Sequence, residues 1–377
     1  MTPLSYCTNV HPAEDLPGVL AQLDRYAEPV RRLVGADVLG LGLWLPAALA
    51  RELAESPELR AKLRAELDAR GLEVYTLNAF PYGGFHDEVV KHSVYRPEWT
   101  DSARLRYTAD CAVVLADLLP DSATYGSIST LPLAWRTPWT PADDDTATAA
   151  LGELTGVLDG MAVGHGRPIR LAVEPEPGCV LDTVADAVRW LAPRVDPRYV
   201  GLCLDTCHLA VSFADPADTV ASIHRAGLEV VKVQASAALQ VEDPGSAQAR
   251  QALADFTEPR YLHQVRERTP TGTVLAADDL PQAHDELPAR DAWRVHFHVP
   301  LHARPAAPLS ATTDVLRTAI ATLRSTVDEM PHVEVETYTW SVLPETAGNG
   351  GDTALIRGIA AELRWAAGNL FDVEGVR

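Results

Sequence analysis

Glu174, Asp205, Gln234 and Glu336 each close a short apolar run. The runs are "IRLAVEPEP" (169–177), "YVGLCLDT" (199–206), "EVVKVQAS" (229–236) and "HVEVETYTW" (332–340). Read as strands, they alternate their side chains between two faces. Leu171, Val173, Val231, Val233, Val333 and Val335 face one way. Ala172 with Glu174, Cys203 with Asp205, Lys232 with Gln234 and Glu334 with Glu336 face the other. Three carboxylates crowded at one rim repel one another strongly when partly desolvated. One divalent cation removes that objection, and oxygen-rich ligation suits Mn²⁺, Mg²⁺ or Co²⁺, with Zn²⁺ also open. A cation holding adjacent hydroxyl and carbonyl oxygens of a sugar or cyclitol acidifies the C–H between them. Glu174 and Glu336, on opposite sides, then suit the general base and acid that remove and return the proton.

Each residue also has a plainer reading. In "LDTCHLA" (204–210), Asp205 sits where an aspartate commonly caps a following helix, and His208 lies three positions on. "NAFPYGGFH" (78–86) puts Asn78 at a strand end, then a Gly83–Gly84 turn, then His86. Its glycines let backbone approach a ligand, or simply turn the chain. Asn9 and His11, after the first run, can hydrogen-bond a polyol or serve the core. Glu176 can hold a substrate hydroxyl or be solvated. Trp44, Trp99 and Trp340 can stack on a sugar face, although tryptophan in a large core usually packs. Lys232 and Glu334, one inward position below Gln234 and Glu336 on neighbouring strands, are expected to pair inside the fold, since an unpaired charge there is costly.

Nine apolar runs recur along the chain. The remaining five are "LSYCTNV" (4–10), "ADVLGLGLWL" (36–45), "LEVYTLNAF" (72–80), "ATYGSIST" (123–130) and "WRVHFHVPL" (293–301). Amphipathic stretches such as 46–71, ending on Gly71, and 353–370 separate most of them. Regular alternation of strand and helix indicates βαβ units around a parallel sheet. The length fits one α/β domain over 1–377, a (β/α)₈ TIM barrel with its active site at the carboxyl ends of the strands. Nine runs exceed eight places. "WRVHFHVPL" is the surplus one, because it follows the longest irregular region, 240–292. An insertion near 240–300, partly helical, is therefore expected to cover the rim and bring His296 or His298 to it.

Composition bounds the rest. With 377 residues, 47% of them hydrophobic, the chain can bury a large core. Its 52 acids against 32 bases give a net charge of −20, which argues against nucleic acid as a partner. No apolar stretch approaches a membrane span, and the start lacks the basic and apolar regions of a signal peptide. Five cysteines without paired knuckles (Cys7, Cys111, Cys179, Cys203, Cys207) fit reduced, buried thiols. A cytoplasmic protein is expected.

The strand-end Glu of "VEPEPG", the "LDTCH" motif, the "HVPL" segment and the terminal "VEVETY" resemble the xylose isomerase-like (sugar phosphate isomerase/epimerase) TIM-barrel superfamily, across about residues 4–370. More narrowly, "YCTNVHP", "NAFPYGGFH" and "KVQAS" resemble EboE-type metabolite traffic proteins, a branch found with secondary-metabolite genes. The resemblance implies Glu174, Asp205, a seventh-strand residue and Glu336 as metal ligands, and His208 in contact with substrate or metal. The chain departs from the pattern at the seventh strand, where Gln234 replaces the usual histidine and its amide oxygen ligates more weakly. His298 resembles the histidine of the superfamily's "HVPxG" segment and is placed to compensate, although the glycines after it are missing. The implied activity is isomerisation or epimerisation of a small polyhydroxylated metabolite, with His208 polarising the substrate oxygen and with Asn9, Asn78, His86, Glu176 and His298 as substrate contacts. Two alternatives accompany it. One is a metabolite carrier with lost catalysis, working with other proteins of its pathway. The other is a zinc-dependent hydrolase of the endonuclease IV type using His86, His208 and His298; the missing histidine and the acidity count against it.

Overall fold

The structure, a computed structural model, describes residues 4–344 and 351–371. Eight parallel strands close into a barrel: Ser5–Cys7, Leu39–Trp44, Leu72–Asn78, Gly126–Thr130, Ile169–Val173, Val200–Asp205, Val230–Ala235 and His332–Val335. They follow one another around the barrel in chain order, and the eighth closes on the first. Their valines and leucines on the outer face pack under the helices in one continuous core that includes Leu171, Val173, Val233, Val333 and Val335. This is the expected TIM barrel.

Three local features depart from the sequence reading. The stretch 46–71 forms two helices, Ala47–Glu55 and Pro57–Asp68, because Pro57 cannot continue the first and Ser56 caps the second through Leu59 N–H. Val231 does not join the helix-facing core. The register between the sixth and seventh strands shifts at Leu202/Cys203, and this bulge packs Val231 with Tyr125, Ala172 and Cys203. The region expected to be an irregular, partly helical cover carries a five-stranded antiparallel sheet. Its strands are Leu239–Val241, Val265–Arg268, Val274–Ala277, Trp293–Val295 and Leu309–Ala311, and the sheet has its own core around Trp293, Val295 and Phe297. These strands are three or four residues long, too short to show a period of two. The start of "WRVHFHVPL" belongs to this second sheet and not to the barrel, as its position after the long region predicts.

The second sheet is tied down over the rim. Val90 N–H and Lys91 N–H donate to the Arg260 carbonyl. Lys91 pairs with Asp279 at 2.5 Å and Arg266 with Asp182 at 2.7 Å. Inside the barrel, Lys232 Nζ meets Glu334 Oε2 at 2.6 Å with both side chains fully buried, the pairing that their shared parity predicts. The second strand, "LGLGLW", has a glycine where that carboxylate lies: a Cβ on Gly42 would fall 1.1 Å from Glu334 Oε1.

Candidate metal centre and active site

Strand ends place the predicted residues together. Glu174 follows the fifth strand, Asp205 ends the sixth, Gln234 lies near the end of the seventh and Glu336 follows the eighth. One oxygen from each of Glu174, Asp205 and Glu336 lies within 4.8 Å of the others. Burial raises the Glu174 carboxyl well above its ordinary value, and the Glu336 and Asp205 charges push it further. Burial likewise lifts Glu336 to about 8, with Asp205 and Glu334 adding to it. Without a counter-ion, these acids resist ionising together.

Asp205 answers to both of its readings. Its Oδ1 caps the helix Thr206–Val211 through His208 N–H at 2.8 Å and accepts from Ser236 Oγ at 2.9 Å. Its Oδ2 is buried without a hydrogen-bond partner. Glu174 Oε2, both amide atoms of Gln234 and His298 Nε2 share that condition. Buried polar atoms normally find partners, so this concentration marks a place for a ligand. His298 Nδ1–H donates to the Glu336 carbonyl at 2.8 Å, which leaves Nε2 as a lone pair 3.8 Å from Asp205 Oδ2. Burial lowers the His298 pKa to about 4, so the ring is neutral and able to ligate. Carboxylate oxygens, an amide and an imidazole nitrogen fit a divalent cation. His298 thus stands as a ligand candidate beside Gln234, in addition to its expected role as a substrate contact.

A second group of side chains sits next to the first. His208 Nδ1–H donates to the Pro175 carbonyl at 2.9 Å, and His296 Nδ1–H donates to Gln264 Oε1 at 2.6 Å. Gln264 is oriented by its own donation to the Pro177 carbonyl. The two Nε2 atoms therefore face each other 3.1 Å apart, a contact that needs a shared proton or a cation. Glu176 supplies a neighbouring carboxylate, and its Oε1 accepts from Tyr95 and Gln264.

The other predicted residues divide. Asn9 and Asn78 line the cavity, yet both side-chain amides donate to Glu336 Oε1, at 2.8 and 2.9 Å, so they hold that carboxylate. His86 does not line the cavity. Its Nε2 bonds the Asn9 carbonyl at 2.7 Å, steadying the loop from behind. His11 is buried against Tyr6 and Tyr26, away from the site. Trp44, Trp99 and Trp340 pack with their indole N–H groups bonded to Pro81, Thr130 and Glu362, and none faces the cavity. Sequence reading missed Tyr95, Gln264 and the rings of Phe80, Phe85, Tyr261 and Tyr338. Only the alternate spacing in "HFH" signalled that His296 would share a face with His298. Tyr95 and these four rings line the cavity.

No curated protein matches the chain in sequence. Solved structures match it over nearly its whole length at low identity, which shows the fold. A xylose isomerase-like TIM barrel protein from Mycobacterium smegmatis, in complex with magnesium, is 15% identical with a TM-score of 0.53, covering 98% of both chains. D-psicose 3-epimerase, solved in the presence of D-fructose, is 14% identical with a TM-score of 0.52, covering 98% of this chain and 99% of its own. The IOLI protein, with a bound zinc atom, is 12% identical with a TM-score of 0.53, covering 98% and 100%. Residues 30–266, well over half of the chain, match the model of the xylose isomerase-like TIM barrel family. The chain belongs to that family.

Proposed function

We propose that the protein is a metal-dependent isomerase or epimerase of a small polyhydroxylated metabolite, a sugar or cyclitol, working through an enediolate. The observation that carries this is the cluster of Glu174, Asp205 and Glu336, one oxygen of each within 4.8 Å of the others, with His298 Nε2 3.8 Å from Asp205 Oδ2. Within it Glu174 Oε2, Asp205 Oδ2, the Gln234 amide atoms and His298 Nε2 are each buried without a hydrogen-bond partner. Glu174, Asp205, Gln234, His298 and Glu336 would hold one divalent cation. When bound, it supplies positive charge opposite the oxygens on which negative charge develops.

The rest is done by the chain. Glu174 and Glu336, on the fifth and eighth strand ends, take and return the proton. Asn9 and Asn78 grip one oxygen of Glu336 and fix its aim. His208 presents an Nε2 lone pair to the cavity edge when neutral, so it accepts a substrate hydroxyl, and polarises a carbonyl only when protonated. Glu176 holds a second hydroxyl. The inserted sheet, which brings His296 and His298, keeps water from the reacting carbons. The Gln234 amide also favours a second reading, a metabolite carrier that binds without turnover, consistent with the traffic-protein motifs.

One experiment separates them. With Mn²⁺ and a panel of ketoses and keto-cyclitols in D₂O, C–H to C–D exchange followed by NMR is expected, falling by about 10²–10⁴-fold in Glu174→Gln and Glu336→Gln. Tight binding of a panel member with no exchange contradicts the enzyme and supports the carrier.

A further inference from the structure

The cavity has two unlike walls. One carries the carboxylates and imidazoles. The other is built from Phe80, Phe85, Val90, Tyr261, Leu262 and Tyr338, contributed by the loop after the third strand, the inserted region and the turn after the eighth strand. Its rings brace one another. Phe85 lies 5.3 Å from Tyr261 and 5.6 Å from Tyr338, and those two are 4.9 Å apart, so the wall is set before a ligand arrives.

Two hydroxyls on this side are committed, while the Tyr338 ring sits 4.7 Å from His298, next to the polar groups. The Tyr261 hydroxyl donates to the Phe85 carbonyl at 3.2 Å and the Tyr95 hydroxyl to Glu176 at 2.7 Å. Among the described cavity-lining residues Lys91 is the one Lys or Arg, and it is paired with Asp279. Hydroxyls pressed against Phe80, Phe85, Tyr261 and Leu262 lose water and gain no partner. An apolar group placed there gains by leaving water. An anionic substituent on this side would meet no unpaired Lys or Arg among the described lining residues.

We propose that the substrate is an uncharged polyhydroxylated ring bearing an aryl or short alkyl substituent. Its neighbouring oxygens meet the carboxylates and imidazoles, and the substituent lies against Phe80, Phe85, Tyr261 and Leu262. This rests on the reading of the opposite wall as the cation and acid–base site. It departs from a bare sugar or a sugar phosphate.

Calorimetric titration of the Mn²⁺-loaded protein tests it, with free glucose, galactose and mannose, their 6-phosphates, and their phenyl glycosides in both anomers as probes. At least one phenyl glycoside is expected to bind ten-fold or more tightly than its parent hexose. The 6-phosphates are expected to bind more weakly than the parents. Phe85→Ser, and independently Leu262→Asn on another segment, should remove the phenyl gain while Mn²⁺ stoichiometry stays unchanged. The proposal is overturned if no phenyl glycoside gains over its parent, if the phosphates bind as well, or if the gain survives both substitutions. Mn²⁺ stoichiometry tells this failure from the other: one ion per chain with no phenyl gain removes the substrate class alone, whereas no bound ion removes the cation reading beneath it.

Discussion

On the seventh and eighth strands, Lys232 and Glu334 lie one inward position below Gln234 and Glu336, and the two levels are treated differently. At the lower level the ammonium and carboxylate meet at 2.6 Å, fully buried. Burial alone would lower the lysine pKa, but Glu334, with Cys203 and Cys7, outweighs it and holds the ammonium charged. At the upper level Gln234 has no partner on either amide atom, and Glu174 and Asp205 each leave one oxygen bare. The same strands and the same parity thus give a floor whose charges are paired, although the Glu334 oxygens, like the rim atoms, lack a hydrogen bond, and a rim whose carboxylates have no counter-charge. A fold that can pair its buried charges, and does so one layer down, leaves the rim open for something from outside.

The largest expected effect breaks the floor. Lys232→Met should destabilise the protein by roughly 3–5 kcal/mol, because Glu334 is left buried and uncompensated. Adding Glu334→Leu should recover much of that loss. Chemical denaturation of the single and double variants decides the matter, and additive losses would show that the two side chains do not meet. A smaller loss, about 1–3 kcal/mol as for an overpacked core, is expected from Gly42→Ala. Its new methyl takes the space of the Glu334 carboxylate. The deficit should shrink when Gly42→Ala is combined with the Lys232→Met/Glu334→Leu pair.

The rim responds to pH. Glu174 and Glu336 have folded pKa values raised above the ordinary 4.5, Glu336 to about 8. A raised group contributes stability that is fully present below the unfolded pKa and is lost as pH rises through the folded one. Thermal melts of metal-free protein should therefore show Tm falling between about pH 4.5 and 8. Saturating Mn²⁺ should flatten the fall, since the cation then replaces the protons. An equally steep fall with Mn²⁺ present would mean that the carboxylates do not share an ion. The smallest effect sharpens the comparison at one residue. Gln234→His should raise Mn²⁺ or Zn²⁺ affinity by about ten-fold, the low end of changes around a metal centre, as read by competition with a chelating dye.

How far the sequence carried this comparison depends on the range of the interactions. Glu174, Asp205, Gln234, Glu336 and the Lys232–Glu334 pair were legible because a period of two converts position along a strand into direction. The rule failed at Val231, where a bulge, invisible in the residue types, inserts one position. The second sheet was not legible, because its strands are three or four residues long and pair across up to about seventy positions. The aromatic wall was missed for a related reason. Phe85, Tyr261 and Tyr338 come from three distant segments, and only the closed fold brings them together. The tryptophans, able to stack on a sugar but expected to pack in so large a core, are packing residues with committed N–H groups.

The account's central claim is that the unsatisfied rim is a cation site, and anomalous diffraction from crystals soaked in Mn²⁺ tests it directly. The predicted result is a peak roughly 2.0–2.3 Å from oxygens of Glu174, Asp205 and Glu336, distances usual for hard divalent cations, with Gln234 or His298 completing the sphere. A map with no peak at that rim under saturating Mn²⁺, or with the ion held elsewhere while these atoms stay bare, would contradict it.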